Sequence, residues 1–96
     1  MAAVTFSGVT RTTTPATPDN LQEFRVLARC EYVVVVAETA ALKVALTGTD
    51  GAAIGASYAL VAAGTAQAFY LPSRQASIFV ASDTASAPVS VREHSA

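Results

Sequence analysis

The sequence predicts an all-β fold, a small antiparallel β-sandwich of jelly-roll-like form, as a single domain with an N-terminal arm. Three observations lead there. Apolar and polar residues alternate with period two in several short runs, as strands half-buried on a core do. Gly, Pro, Asp and Ser punctuate those runs as turn residues. The two stretches that can be read as helix, residues 18–28 and 52–63, compete with strand patterns.

The 96 residues suit one domain. Of these, 52% are hydrophobic and 14% charged, with mean hydropathy +0.43; an average soluble domain has about 25% charged residues. A chain of this size buries only about 60–65% of its unfolded surface. The apolar surplus is therefore expected to face other protein. No unbroken apolar run exceeds the six residues of 32–37, far short of the roughly 20 residues of a membrane-spanning helix. Met-Ala-Ala-Val-Thr-Phe-Ser-Gly lacks the basic start and Leu-rich stretch of a secretory signal. A chain made in a cytoplasm, with no membrane partner, is expected. A net charge of −1 argues against a nucleic-acid partner. Cys30 is the sole cysteine, so no intrachain disulfide can form, and no Cys/His cluster has metal-ligand spacing. Small folds without such staples often gain stability by oligomerising.

Residues 4–12 alternate, with Val4, Phe6 and Gly8 against Thr5, Ser7 and Val9, and read as a strand. Pro15 and Pro18 fix φ and remove two donors, so residues 12–20 read as an extended connector. Residues 1–20 are thus expected as an arm and connector, hinged to a sandwich of residues 21–96. Residues 24–36 alternate most clearly. Phe24, Val26, Ala28, Cys30, Tyr32, Val34 and Val36 share an apolar face; Arg25, Leu27, Arg29, Glu31, Val33 and Val35 share the other. The pattern fits one long strand with a bulge or bend. Thr17-Pro18-Asp19-Asn20 can also start a short helix over residues 18–28, with Leu21, Phe24 and Leu27 or Ala28 as its stripe.

Leu42, Val44 and Leu46 mark the next strand, and Gly48-Thr49-Asp50-Gly51 a turn. Residues 52–63 fit either a helix or two short strands. Gly55, Ser57 and Gly64, with the alternation Tyr58, Leu60, Ala62, favour strands. Residues 67–71 read as a strand stopped by Pro72, and residues 76–81 and 88–92 as two more. Residues 36–46 and 80–91 share a plan of strand, acidic-Thr-Ala turn and strand, and both are expected to be hairpins. The expected core is Phe24, Val26, Tyr32, Val34, Val36, Val44, Leu46, Leu60, Phe69, Leu71, Ile78, Val80, Val89 and Val91.

No residue set points to an enzyme, a cofactor or a metal. His94, the one histidine, is read as part of a solvated tail. Cys30 falls on an apolar face and reads as a buried, inert thiol. Asp50 and Asp83 lie in loops, too far apart in sequence for the dense carboxylate cluster that calcium needs. Tyr58, Phe69 and Tyr70 are candidates for a sugar-binding face. Arg25, Arg29 and Glu31 share a strand face, where exposed ion pairs or interface anchors are the alternatives. With Val33 and Val35 on that face, and Val4 and Phe6 on the arm, they are the interface candidates.

From Leu60 onward the chain carries Leu60-Val61-Ala62-Ala63-Gly64-Thr65, Phe69-Tyr70-Leu71-Pro72, Ala76-Ser77-Ile78-Phe79-Val80-Ala81 and Ala87-Pro88-Val89-Ser90-Val91-Arg92-Glu93. In this order of small-residue turn, Leu-Pro strand end and Val-x-Val-x-Glu close, it resembles small all-β virion proteins of tailed bacteriophages. The resemblance implies a role on the capsid surface or at the neck or tail, and transfers no site residues. The expectation is a capsid decoration or cement protein located in the virion. It would be a homo-oligomer, a trimer by preference, and bind the major capsid protein or another virion protein. A neck, tail or fibre-base component and a carbohydrate- or receptor-binding module are the alternatives. The arm would add a strand to a neighbour's sheet edge.

Overall fold

The computed structural model describes residues 9–26, 30–71 and 77–95. They form eight strands: β1 (Val9–Thr13), β2 (Gln22–Arg25), β3 (Cys30–Ala37), β4 (Leu42–Ala45), β5 (Ala59–Val61), β6 (Thr65–Tyr70), β7 (Ser77–Ala81) and β8 (Pro88–Ser95). Two four-stranded antiparallel sheets result, ordered β1-β8-β3-β6 and β2-β7-β4-β5. This is the strand order of an eight-stranded jelly roll. The all-β sandwich read from the sequence is the observed fold.

Among the described strands, β4 and β5 are the one consecutive pair that shares a sheet. All other connections carry the chain from one sheet to the other. The cause is that inner strands have both edges occupied by sequence-distant partners: β3 by β6 and β8, and β7 by β2 and β4. Residues 36–46 and 80–91, expected as hairpins, are therefore corners between sheets. Their common plan persists, since each joins an inner strand of one sheet to an inner strand of the other.

The expected long strand over residues 24–36 is divided in the same way, into β2 and β3. Phe24 and Val26 face the core, but then the parity changes. Val33, Val35 and Ala37 are fully buried, while Tyr32, Val34 and Val36 are half-buried. One continuous strand would hold its parity; a corner does not have to, and the β3–β8 register shifts again between Cys30 and Tyr32. Val33 and Val35 are thus core residues and not interface candidates. Tyr32, Val34 and Val36 leave the expected core. Leu60 leaves it too, being 59% exposed on an edge strand. No helix forms over the described part of 18–28: Asp19 takes a left-handed φ of 65° in the corner, and β2 follows.

Of the expected arm and connector, Val9–Thr13 pair with β8 along their whole length. The buried Thr14 extends that contact. Its N–H donates to the Ala87 carbonyl, and its Oγ1 accepts from the Ala87 N–H, both at 2.9 Å. Residues 9–14 belong to the sandwich, and Pro15 and Pro18 sit in the corner, where no ladder donor is required. Residues 1–8, with Val4 and Phe6, lie outside the described residues, as do Arg29 and the side chain of Cys30.

The main core is one layer between the sheets. It includes Phe24, Leu42, Val44, Ile78 and Val80 from one sheet and Val33, Val35, Val89 and Val91 from the other. A second cluster, Leu21, Ala45, Phe79 and Ala81 with Ile54, lies on the outer face of the β2-β7-β4-β5 sheet. The β4–β5 connection, residues 46–58, straps over it. Leu21 N–H donates to Ala52 and its carbonyl accepts from Gly51, both at 2.8 Å; Glu23 N–H donates to Asp50 Oδ1 at 2.8 Å. Gly48 passes so low that a Cβ there would sit 2.6 Å from Leu21 Cδ1.

Two charge clusters fasten the corners. Arg11 on β1 grips Glu38 with Nε and a terminal nitrogen at 2.7 and 2.6 Å, and Ser90 Oγ on β8 donates to the same carboxylate at 3.0 Å. Lys43 on β4 reaches Asp19 at 2.8 Å and Asp83 at 2.6 Å, joining the corners after β1 and β7.

Phe24 is fully buried in a thin layer. Phe24→Ala is expected to cost about 3–5 kcal/mol in denaturant unfolding, from lost transfer energy plus a cavity. The bonds from Arg11, then from Ser90, hold the Glu38 carboxyl down at about 2, against an ordinary 4.5. A folded value below the unfolded one gives stability that is complete above about pH 4.5 and is lost as pH falls toward 2. Glu38→Gln should therefore melt below the parent at pH 7, and thermal scans should show the gap closing across that acid range. A gap that stays constant down to pH 2 contradicts the Arg11 assignment.

Candidate interaction surface

The two flanks of the sandwich differ in charge. β1 and β2 form one pair of sheet edges, and β5 and β6 the other, where they lie beside each other. The β1/β2 flank carries Arg11, Glu23 and Arg25. The β5/β6 flank lies within residues 51–73, which contain no Asp, Glu, Lys or Arg. It also holds the exposed large hydrophobic side chains of the described chain: Tyr58 at 42%, Leu60 at 59% and Tyr70 at 70%. β6 reads Thr-Ala-Gln-Ala-Phe-Tyr, and all of it except Phe69 is exposed. It pairs with β3 without a register shift on one side and has no described strand on the other. Natural edge strands are usually guarded by Lys, Pro, bulges or brevity. β5, at three residues, is brief; β6 has none of these protections.

The outer face of the β1-β8-β3-β6 sheet adds an aromatic row. Tyr32 stacks on Tyr70 of β6 at 5.1 Å between ring centroids and on His94 of β8 at 4.7 Å. His94, expected in a solvated tail, is thus built into a strand, because β8 runs to Ser95 beside β3. Below this row the β3–β6 half of the face is small and apolar, with Val34 and Val36 half-buried and Ala66 and Ala68 exposed, while β8 places the exposed Arg92 opposite Val34.

The expected sugar-binding face does not assemble. Phe69 turns inward and packs against the core. Tyr58 lies beside Lys43, whose Nζ is 5.2 Å from its ring centroid, on the sheet opposite that of Tyr70. A sugar stacks on an open ring face. Here Tyr32 presents its faces to Tyr70 and His94, and Tyr58 is engaged by an ammonium group.

Arg25 and Glu31 are exposed, but on strands of different sheets, so they do not share a face. Arg25 lies 3.9 Å from Glu23. Asp50 caps a β2 amide and Asp83 binds Lys43. Among the described residues, no group of His, Cys, Asp or Glu is placed to hold a metal ion. One ionisable residue escaped the sequence reasoning: Glu93 is 1% exposed and faces inward opposite Val33. Its signal was parity, since it continues the buried row Val89, Val91.

Compared with protein-family models, curated proteins and solved structures, the chain matches none.

Leu60 projects from an edge and Val61, its neighbour, into the core at 1% exposure. Leu60→Ser is expected to change folding stability by no more than about 0.5 kcal/mol. Val61→Ser should cost several times that. Denaturant unfolding of both variants checks the orientation of β5, and equal losses would contradict it.

Proposed function

We propose that this chain is a non-enzymatic structural protein of a phage virion, a decoration or cement protein that binds the capsid surface as an oligomer. One observation carries the proposal: residues 51–73 of the β5/β6 flank contain no charged residue and leave Tyr58, Leu60 and Tyr70 exposed, Tyr58 and Leu60 on the side of one sheet and Tyr70 on that of the other. Such a flank suits burial against protein. The jelly roll supports the reading as an architecture that recurs in viral capsid and lectin domains, which is analogy at the level of fold.

The mechanism is removal of surface from water. A stable interface takes about 800 Å² from each partner, a modest share of the 5101 Å² that this chain exposes. The major capsid protein or another virion protein would supply the opposing surface. Copies repeated on a lattice gain avidity, so a weak single contact suffices.

The experiment is peptide mass spectrometry of density-banded particles from a host carrying the gene, with and without the gene deleted. The expected result is this chain in the particle at a copy number set by the capsid lattice. Particles lacking it should form heads that release DNA at lower temperature. Absence of the chain from the particle overturns the proposal. A handful of copies places it at the neck, tail or fibre base.

A further inference from the structure

The unguarded edge of β6 has a geometry that selects its partner. Leu71 N–H donates to the Glu31 carbonyl at 3.0 Å. That marks Glu31/Leu71 as a hydrogen-bonded position of the β3–β6 ladder, and such positions recur every second residue in an antiparallel pair. Phe69 and Gln67 therefore turn their backbone groups toward β3, while at the start of the strand Thr65 N–H donates to the Ala62 carbonyl at 3.1 Å. Ala66, Ala68 and Tyr70 turn theirs outward, to the side where no described strand lies.

We infer that β6 pairs antiparallel with β6 of a second copy of this chain, about a two-fold axis at Ala68, so that the two β1-β8-β3-β6 sheets become one continuous sheet. In this register Ala68 faces Ala68 of the other copy, and Ala66 faces Tyr70. All three outward-pointing residues of each strand then meet outward-pointing residues and exchange backbone bonds. Side chains match as well. Tyr70, 70% exposed, comes beside the small exposed Ala66, with its other face on Tyr32. No charged residue opposes another, because β6 has none. The other described edges suit a partner less: β1 carries Arg11, β2 carries Glu23 and Arg25 with one amide capped by Asp50, and β5 spans three residues.

The pairing deepens the reading of an assembly component by naming one partner, and it replaces the expected trimer. Antiparallel pairing of identical strands is isologous and closes at two copies. It can be tested in solution without any particle, so its failure and the failure of the virion role are separable.

The test is the mass of the full chain by analytical ultracentrifugation, with amide exchange read by NMR. A species of twice 9.8 kDa is expected, with slow exchange at Ala66, Ala68 and Tyr70 that speeds up on dilution. Ala68→Pro deletes an outward N–H and no β3–β6 bond, so it should give a folded monomer. Ala68→Lys and Ala68→Glu place like charges face to face at the axis and should each be monomeric. Mixed together they should form a one-to-one heterodimer. Far-UV circular dichroism and a cooperative melt show that each variant is folded; should the proline variant fail to fold, the Lys and Glu pair decides. A parent chain that stays monomeric up to about 100 μM, well above the Kd of a modest interface, overturns the inference. A trimer overturns it as well, as does dimerisation undiminished in both charged variants.

Discussion

Everything in this molecule depends on one thin apolar layer, in which Val33, Val35, Val89 and Val91 of one sheet meet Phe24, Leu42, Ile78 and Val80 of the other. The layer is built largely from valines, with Phe24 and Leu42 the largest apolar side chains fully buried in it. Facing sheets pack about 10 Å apart, and these side chains fill that gap without reserve. A strand that slipped by one residue would exchange a buried valine for Tyr32 or Arg92. The corners must then bring each strand to its sheet with the right residue facing in. Five charged side chains act on those corners. The Arg11 fork on Glu38 joins β1 to the end of β3, and Lys43 gathers Asp19 and Asp83.

Much of the fold was legible because period-two alternation survives in most strands. Phe24, Val26, Val44, Ile78, Val80, Val89 and Val91 were placed in the core by parity alone, and they are there. Parity failed at residues 32–36 for a physical reason. Four consecutive valines, Val33, Val34, Val35 and Val36, offer two equally apolar faces, so the pattern carries no sign of which faces in. The sign was imported from Phe24, across a corner that does not conserve it. Hairpin and corner were indistinguishable for a related reason. Glu38-Thr39-Ala40 and Asp83-Thr84-Ala85 state that the chain turns, while the edges already occupied on β3 and β7 decide where it goes. Occupancy is a property of strands far away in sequence.

The surface was legible in amount and not in position. Low charge foretold exposed apolar area, and the residues that carry it were named for other roles: Leu60 as core, Tyr58 and Tyr70 as a sugar platform. The outer cluster around Leu21 and Phe79 could not be foreseen, because it exists through the strap of residues 46–58, which local pattern resolves into a turn and a short strand. Once that strap covers one outer face and the ion pairs guard the β1/β2 flank, the β5/β6 flank is left as the bare one.

The strand order also imposes a schedule. β8 lies between β1 and β3, yet it is the last of the eight strands to be made. Until it emerges, β1 has no neighbour within its own sheet and β3 is open along one edge. Pairings between strands so distant in sequence form slowly, since long loops must close before contacts reward them. During translation the β2-β7-β4-β5 sheet and the β3–β6 pair have all their strands before β8, which closes the other sheet last. A chain cut short before β8 leaves β1 without a sheet neighbour and β3 open along one edge, which makes the emergence of β8 a gate on entry into any assembly.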